Sequence, residues 1–497
     1  MSEQTTPRVQ LNILANLAGR AWAILSVFLF VPLYLNLAGL EGYAMITFYA
    51  TLSAVLLVAD GGLAIGLARE LARDTGSRKQ DLVRTTEVIF IGIALVAMLI
   101  IILGADFIST NWLSAETYSA SRVKGYLILM AIASGTQLIS SIYFGALNGL
   151  QQQVRANVLQ FLWSLFRQVS GLVALLLTKD LLYFFICQIV SNVAYAWACR
   201  FFLLQKISVT GAPTATFDLS AVRGMMRFSG GVFAITLVSI IVLQSDKIIV
   251  SYLSTLKEFG VYGVAAAVAQ APGVLTTPVS VALIPRLTQL VSNREFGKLE
   301  RIYHHGFRVL ALLVIPLSTV LMVFSEQIIF LWTNNPDVTA AAHMPATLLI
   351  TGSIFFALHV PAYCLALAYG ETKYNIVFGS ILAVVGIAGY FLLVPRLGLN
   401  GPGVVWSLMN LVITPLNLLV VQNAFKIGNQ LKILVMVLFL SLLSLITMMG
   451  LKTLMSEEIS LVPFGMIISV GMIFIVFVFI RFFCQSSFKD FIRGFEV

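Results

Sequence analysis

Residues 85–105 read TTEVIFIGIALVAMLIIILGA, with the polar stretch RKQDLVR before them at 78–84 and a polar segment after them over 106–124. A helix rises 1.5 Å per residue, so about twenty apolar residues span a hydrocarbon core of roughly 30 Å. The stretch predicts a membrane-crossing helix, and the same grammar recurs along the whole chain. Apolar runs lie near 11–35, 43–67, 85–105, 125–146, 156–177, 181–203, 229–252, 262–284, 307–332, 345–369, 374–394, 401–422, 431–451 and 461–482. The reading is an all-α polytopic membrane protein with about fourteen transmembrane helices. Of its 497 residues 59% are hydrophobic and 11% charged, against about 25% charged in ordinary soluble domains.

Charge placement gives an orientation. Loops and helix ends on the side of the N-terminus hold 22 of the 31 Lys and Arg residues, among them Arg69, Arg73, Arg78, Lys79, Arg84, Arg286, Arg294, Lys298, Arg301 and Arg308; the opposite loops hold 6. Cytoplasmic loops collect cations, so both termini are expected in the cytoplasm. The net charge of +9 follows this topology and does not point to nucleic acid. The N-terminal apolar run is longer than a signal-peptide core and reads as the first span. The opposite loops are too short for an external catalytic domain, and Cys187, Cys199, Cys364 and Cys484 have neither disulfide nor metal spacing. No catalytic, metal or cofactor site is expected.

A faint repeat relates LAGLEGYAMITFYATLSAVLLVADGGLAIGLAREL (37–71) to LSTLKEFGVYGVAAAVAQAPGVLTTPVSVALIPRL (253–287). It suggests two pseudo-symmetric six-helix lobes plus two C-terminal helices: 1–205, a linker at 206–228, 229–425, then 426–497. Parallel repeats of this kind occur in transporters. Pro272, Pro278 and Pro285 are expected to bend the eighth span.

Three cations remain inside spans: Arg20, Arg167 and Lys247. Ionisable groups at membrane depth face a cavity or a partner. Arg20 and Asp60 lie at similar depth and are expected either to tie the first two spans together or to serve a bound anion. Arg167 sits mid-span beside Gln160, Ser164 and Gln168 and reads as cavity-facing. Lys247 follows Asp246, but adjacent helical side chains point about 100° apart, so no direct pair is expected; Lys247 has length to snorkel. Asp246, Asp60 and His359 are candidates for charge balance or for H⁺ or Na⁺ coupling. Gln137, Gln188, Asn192, Gln244, Gln270, Asn410 and Asn417 are read either as sugar-binding groups or as interhelical hydrogen bonds.

QSDKIIVSY (244–252) with KEFGVYG (257–263), YGETKY (369–374), LVPRLGLNGPG (393–403) with Trp406, and more weakly GALNGLQ (145–151), placed in the loop after the fourth span, together resemble polysaccharide flippases of the multidrug/oligosaccharidyl-lipid/polysaccharide exporter superfamily. The resemblance covers nearly the whole chain. It implies an alternating-access transporter in the bacterial inner membrane. The implied cargo is an undecaprenyl-diphosphate-linked oligosaccharide, such as an O-antigen repeat unit, moved from the cytoplasmic to the outer leaflet. The diphosphate would meet Arg20, Arg167 and Lys247, because guanidinium forks, and ammonium groups as point charges, suit phosphate oxygens. A polysaccharide polymerase and glycosyltransferases would be partners alongside membrane lipids. The rivals are a drug/cation antiporter or lipid II flippase of the same superfamily, and a membrane glycosyltransferase or polymerase.

Overall fold

The computed structural model describes residues 6–73, 78–207, 217, 219–428, 430–454, 461–479 and 481. Among them, α-helices account for nearly all regular structure. They are α1 (Thr6–Leu56), α2 (Leu63–Arg73), α3 (Arg78–Phe107), α4 (Ala120–Gly149), α5 (Gln153–Thr178), α6 (Leu181–Ile207), α7 (Leu219–Leu253), α8 (Leu256–Ala269), α9 (Ala271–Val274), α10 (Thr276–Ser292), α11 (Phe296–Val323), α12 (Ser325–Thr333), α13 (Pro336–Leu358), α14 (Val360–Ala368), α15 (Lys373–Leu397), α16 (Asn400–Ala424), α17 (Gln430–Leu454) and α18 (Leu461–Phe479).

Twelve described spans are long and apolar enough to cross a membrane, against the fourteen expected. The first two expected spans run into one another, with a break at Gly39 (φ 71°, ψ 179°), and α18 covers the last expected span over Leu461–Phe479.

Several spans are interrupted. The second expected span leaves α-helical geometry at Leu57–Asp60, turns through Gly61 and Gly62, both at positive φ, and resumes as α2. In the sequence repeat, the counterpart span breaks between α8 and α9 and again before α10. Pro272 stands at the start of α9 and Pro278 in the first turn of α10, positions where a missing backbone donor is tolerated, whereas α10 continues through Pro285. The tenth expected span is divided at His359 into α13 and α14.

By its internal contacts the chain forms two compact units, Met1–Gly263 and Val264–Val497. In the first, α4 packs against α3, α6 and α2, and α5 lies on α6 and α1. Leu67, Phe90, Leu138, Ile142, Leu147, Cys199 and Leu203 are among the buried core side chains. Contrary to its expected loop placement, Gly145–Gly149 of GALNGLQ is the last turn of α4, inside the helix. A Cβ at Gly145 would stand 2.9 Å from the Ala64 carbonyl oxygen, and one at Gly149 would stand 2.3 Å from that of Ala68. Glycines four residues apart share a face, and here that face lets α2 touch the backbone of α4.

At the end of this unit opposite the N-terminus, the segment after α3 is clasped by hydrogen bonds. The buried Glu41 carboxylate accepts from the backbone N–H groups of Glu116 (2.8 Å) and Thr117 (2.9 Å). Leu256 N–H donates to the Ser114 carbonyl at 2.9 Å, and Trp112 Nε1 donates to Ser251 Oγ at 3.0 Å.

In the second unit, α13 lies along α16, α15 packs on α16, and α11 contacts α10, α13 and α17. Its core includes Phe307, Leu310, Ile315, Ala357, Leu365, Val421 and Leu440. The Trp406 indole packs on Gly352 and donates to Ser353 Oγ at 3.2 Å. Tyr369 stacks on Phe425 with centroids 4.1 Å apart.

Gly149→Val is expected to destabilise the first unit by about 1–3 kcal/mol, the usual cost of overpacking. A lowered melting temperature of the detergent-solubilised protein checks it, with the exposed Gly125→Val of α4 as a near-neutral comparison.

Candidate functional site

α5 is the element on which the polar groups at membrane depth converge in the first unit. Phe161, Leu162, Phe166, Val169 and Val173 are exposed apolar side chains, as befits a lipid face. Other positions turn toward α1 and α6. Trp22 Nε1 of α1 donates to Ser164 Oγ at 3.0 Å, and the Tyr34 hydroxyl donates to Gln168 Oε1 at 2.8 Å. From α6, Gln188 Nε2 reaches the Arg167 carbonyl oxygen at 3.4 Å.

Arg167 lies near the middle of α5. Its guanidinium carbon stands 4.7 Å from the centroid of the Trp163 ring, and its Nε is buried without a hydrogen-bond partner among the described residues. No carboxylate among them pairs with it. Trp163 is four residues earlier, the spacing that brings helical side chains together.

Asp246 and Lys247 are placed differently from expectation. Lys247 Nζ lies 3.2 Å from Asp246 Oδ1, with the two side chains 15% and 13% exposed, and also donates to the Leu243 carbonyl at 3.0 Å. The expected absence of a direct pair is overturned because the four-carbon lysine stem folds back and spans the angle between neighbouring positions. Asp246 Oδ2 accepts from the Tyr262 hydroxyl of α8 at 2.6 Å. One carboxylate thus joins α7 to α8, beside the place where Gly260 of α8 lies so close to α1 that a Cβ would be 2.4 Å from the Leu40 carbonyl oxygen.

The remaining sequence candidates separate. The Asp60 carboxylate accepts the Gly62 N–H, capping the turn that interrupts its span; the Arg20 side chain lies outside the described ones. His359, in the second unit, sits at the break between α13 and α14. Its Nδ1 is 2.8 Å from the Phe356 carbonyl oxygen, and since a carbonyl only accepts, Nδ1 carries the proton. Gln188 and Asn192 are buried, 2% and 0% exposed, and both bond between helices: Asn192 accepts from Trp163 Nε1 at 2.9 Å and donates to the Ala133 carbonyl at 2.8 Å. Asn410 donates along its own helix to Trp406. Gln270 is exposed at the break between α8 and α9.

Sequence reasoning missed Tyr262, Trp163 and Glu87. Glu87 is buried in α3, where it accepts from Arg200 Nε of α6, the Tyr143 hydroxyl of α4 (2.6 Å) and Arg84 Nη1 (3.3 Å). An acid inside the apolar run at 85–105 was the visible signal. For Trp163 the signal was an aromatic residue one turn before an intramembrane arginine.

Asp246→Asn leaves Lys247 nearly buried without its counter-charge, so it is expected to destabilise the protein, whereas Asp246→Asn with Lys247→Met should recover much of the loss. Thermal melting of the single and double variants measures the coupling.

Comparison with known proteins places these features in a family. A Shigella flexneri protein described, by name alone, as an O-antigen transporter is 20% identical over 378 residues, 74% of this chain and 87% of that protein. The lipid II flippase MurJ in an inward closed conformation matches 97% of this chain and 100% of its own, with a TM-score of 0.74 at 15% identity. An inward-facing multidrug resistance MATE transporter of the MOP superfamily matches 84% and 94% with a TM-score of 0.66 at 13% identity. The fold is therefore that of MOP-superfamily transporters. Residues 46–334, more than half of the chain, match the polysaccharide biosynthesis protein family, and the chain belongs to that family.

Proposed function

We propose that this protein is a flippase that carries an undecaprenyl-diphosphate-linked oligosaccharide, an O-antigen-type repeat unit, from the cytoplasmic to the outer leaflet of the bacterial inner membrane by alternating access. The observation that carries the reading is Arg167: a cation in the middle of a spanning helix with no carboxylate partner among the described residues, in a chain of a polysaccharide biosynthesis family. A guanidinium left without a protein counter-charge in low dielectric is a binding group for an anion.

The acids point the same way. A drug/cation antiporter needs a carboxylate open to its cargo, yet both Asp246 oxygens are engaged, by Lys247 and Tyr262, and Asp60 caps a turn. Lys247 would join the diphosphate only by exchanging Asp246 for the incoming phosphate oxygens. The interrupted spans at Leu57–Gly62 and Gln270–Leu275 fall at nearly corresponding positions of the sequence repeat, the arrangement that marks transporter binding regions. In this mechanism the basic segments 69–84 and 286–308, on the cytoplasmic side by the charge rule, attract the anionic head group. Arg167, with Arg20, holds the diphosphate, the prenyl chain stays in lipid, and rocking of two lobes joined by the 206–228 linker exposes the sugar outside. A polymerase would then consume the flipped unit.

The test is a deletion strain, scored for surface polysaccharide and for undecaprenyl-linked intermediates. Loss of one surface glycan, with its complete lipid-linked unit trapped on the cytoplasmic face, is the expected result; an unchanged glycan with altered drug sensitivity sinks the reading. Complementation by Arg167→Gln should restore membrane protein but not the glycan, with translocation reduced at least tenfold, about the worth of one charge-assisted contact.

A further inference from the structure

Arg167 raises a problem of physical chemistry that its neighbours answer. A cation at membrane depth needs local support, but a carboxylate beside it would neutralise it and compete with an anionic cargo. An aromatic face is a different kind of partner: it attracts the cation through its quadrupole and leaves the in-plane N–H donors of the guanidinium free.

We propose that Trp163, fixed by Asn192 and Tyr195, is a positioning residue that holds the Arg167 guanidinium ready for the diphosphate of the lipid carrier. This rests on the flippase reading and deepens it. The Trp163 ring meets Arg167 at 4.7 Å from its centroid and stacks on Tyr195 of α6 at 4.9 Å, with planes 19° apart. The one indole thus meets both a cation and a stacked ring. Its edge is pinned as well, because Nε1 donates to Asn192 Oδ1 at 2.9 Å. The orientation of that amide is set in turn by its Nδ2 donating to the Ala133 carbonyl of α4 at 2.8 Å. A reversed amide would face two donors together and two acceptors together.

The chain of contacts therefore runs from the α4 backbone through Asn192 to the indole and then to the guanidinium. Asn192 and Tyr195 are buried, at 0% and 7% exposure, and take no part in binding cargo themselves. The nearby Tyr34 hydroxyl does not compete for cargo, since it donates to Gln168. Arg167 Nε, buried and unbonded among the described residues, is consistent with a guanidinium supported by a ring face and not by an acceptor.

The test uses the purified full-length protein in lipid nanodiscs with two probes: undecaprenyl diphosphate, and uncharged undecaprenol. Trp163→Leu is expected to weaken undecaprenyl diphosphate binding on the order of tenfold, the span of a desolvated cation–π contact, and to leave undecaprenol binding unchanged. Trp163→Phe, which keeps an aromatic face, should restore most of the affinity. In a double-mutant cycle, Trp163→Leu with Arg167→Gln should bind no more weakly than Arg167→Gln alone. Equal loss for both lipids, or full additivity in the cycle, overturns the positioning role. Weakened binding in Arg167→Gln with none in Trp163→Leu also overturns it, while leaving the diphosphate reading intact. Wild-type binding by Arg167→Gln overturns the diphosphate role itself. Should Trp163→Leu not accumulate in the membrane, Asn192→Ala keeps both stacked rings and frees only the indole edge: selective loss of diphosphate binding supports the proposal, and unaltered selectivity overturns it.

Discussion

In the hydrocarbon core no water stands ready to satisfy a stray carbonyl, amide or charge, and each one left alone costs several kcal/mol. That constraint shapes how several of the polar groups described at depth in this chain are partnered. Where the second span departs from helical geometry, Asp60 supplies an acceptor for the Gly62 N–H. Where the tenth divides, His359 bonds the Phe356 carbonyl. Asn192 spends its amide on an indole and a backbone carbonyl, and Asp246 spends its two oxygens on Lys247 and Tyr262. These bonds are the condition under which interrupted helices exist in lipid at all, and interrupted helices are what a transporter needs where its backbone must bend.

The same constraint explains which parts of the molecule the sequence revealed. A span is a one-dimensional fact: length multiplied by rise, with apolar side chains throughout, so stretches such as 85–105 could be placed from composition alone. Proline positions in 262–290 likewise announced a bend, because a missing N–H is local chemistry. Partnerships are three-dimensional. Glu87 stood in plain view in an apolar run, but nothing in its neighbourhood names Arg200, 113 residues away, as the group that makes it tolerable. GALNGLQ is expected in the loop after the fourth span. In the structure its glycines are the part of α4 that lets α2 come close, a helix–helix packing signature in membranes.

Asp246 and Lys247 show the opposite failure, a local rule applied too strictly. The angle between successive positions on a helix describes Cα–Cβ directions. It does not bound the reach of a lysine whose ammonium lies at the end of a flexible stem, and here that ammonium returns both to Asp246 and to the Leu243 carbonyl. The consequence is functional as well as geometric. The pair is neutral as a unit, and its carboxylate braces α7 to α8 through Tyr262, next to the close approach of α8 to α1 at Gly260. An anion that drew Lys247 away would leave Asp246 with Tyr262 alone, weakening a contact between two helices. Cargo binding and helix packing would then draw on the same few atoms.

The way charge is distributed over partners bears on the proposed cargo more directly than the number of charges does. By count, Arg20, Arg167 and Lys247 are matched by Asp60, Glu87 and Asp246. By availability, all three carboxylates are engaged, Lys247 is neutralised, and the Arg167 guanidinium carbon stands 4.7 Å from the Trp163 ring centroid with no carboxylate partner among the described residues. Attraction between a cation and a ring face is weaker than a buried ion pair, and that weakness serves transport. A carboxylate would have to be displaced at a cost of several kcal/mol each time cargo arrived, whereas in the proposed mechanism the indole would support the empty state without having to leave when the site fills. Under that proposal a diphosphate would bind and leave again with no buried ion pair broken at Arg167.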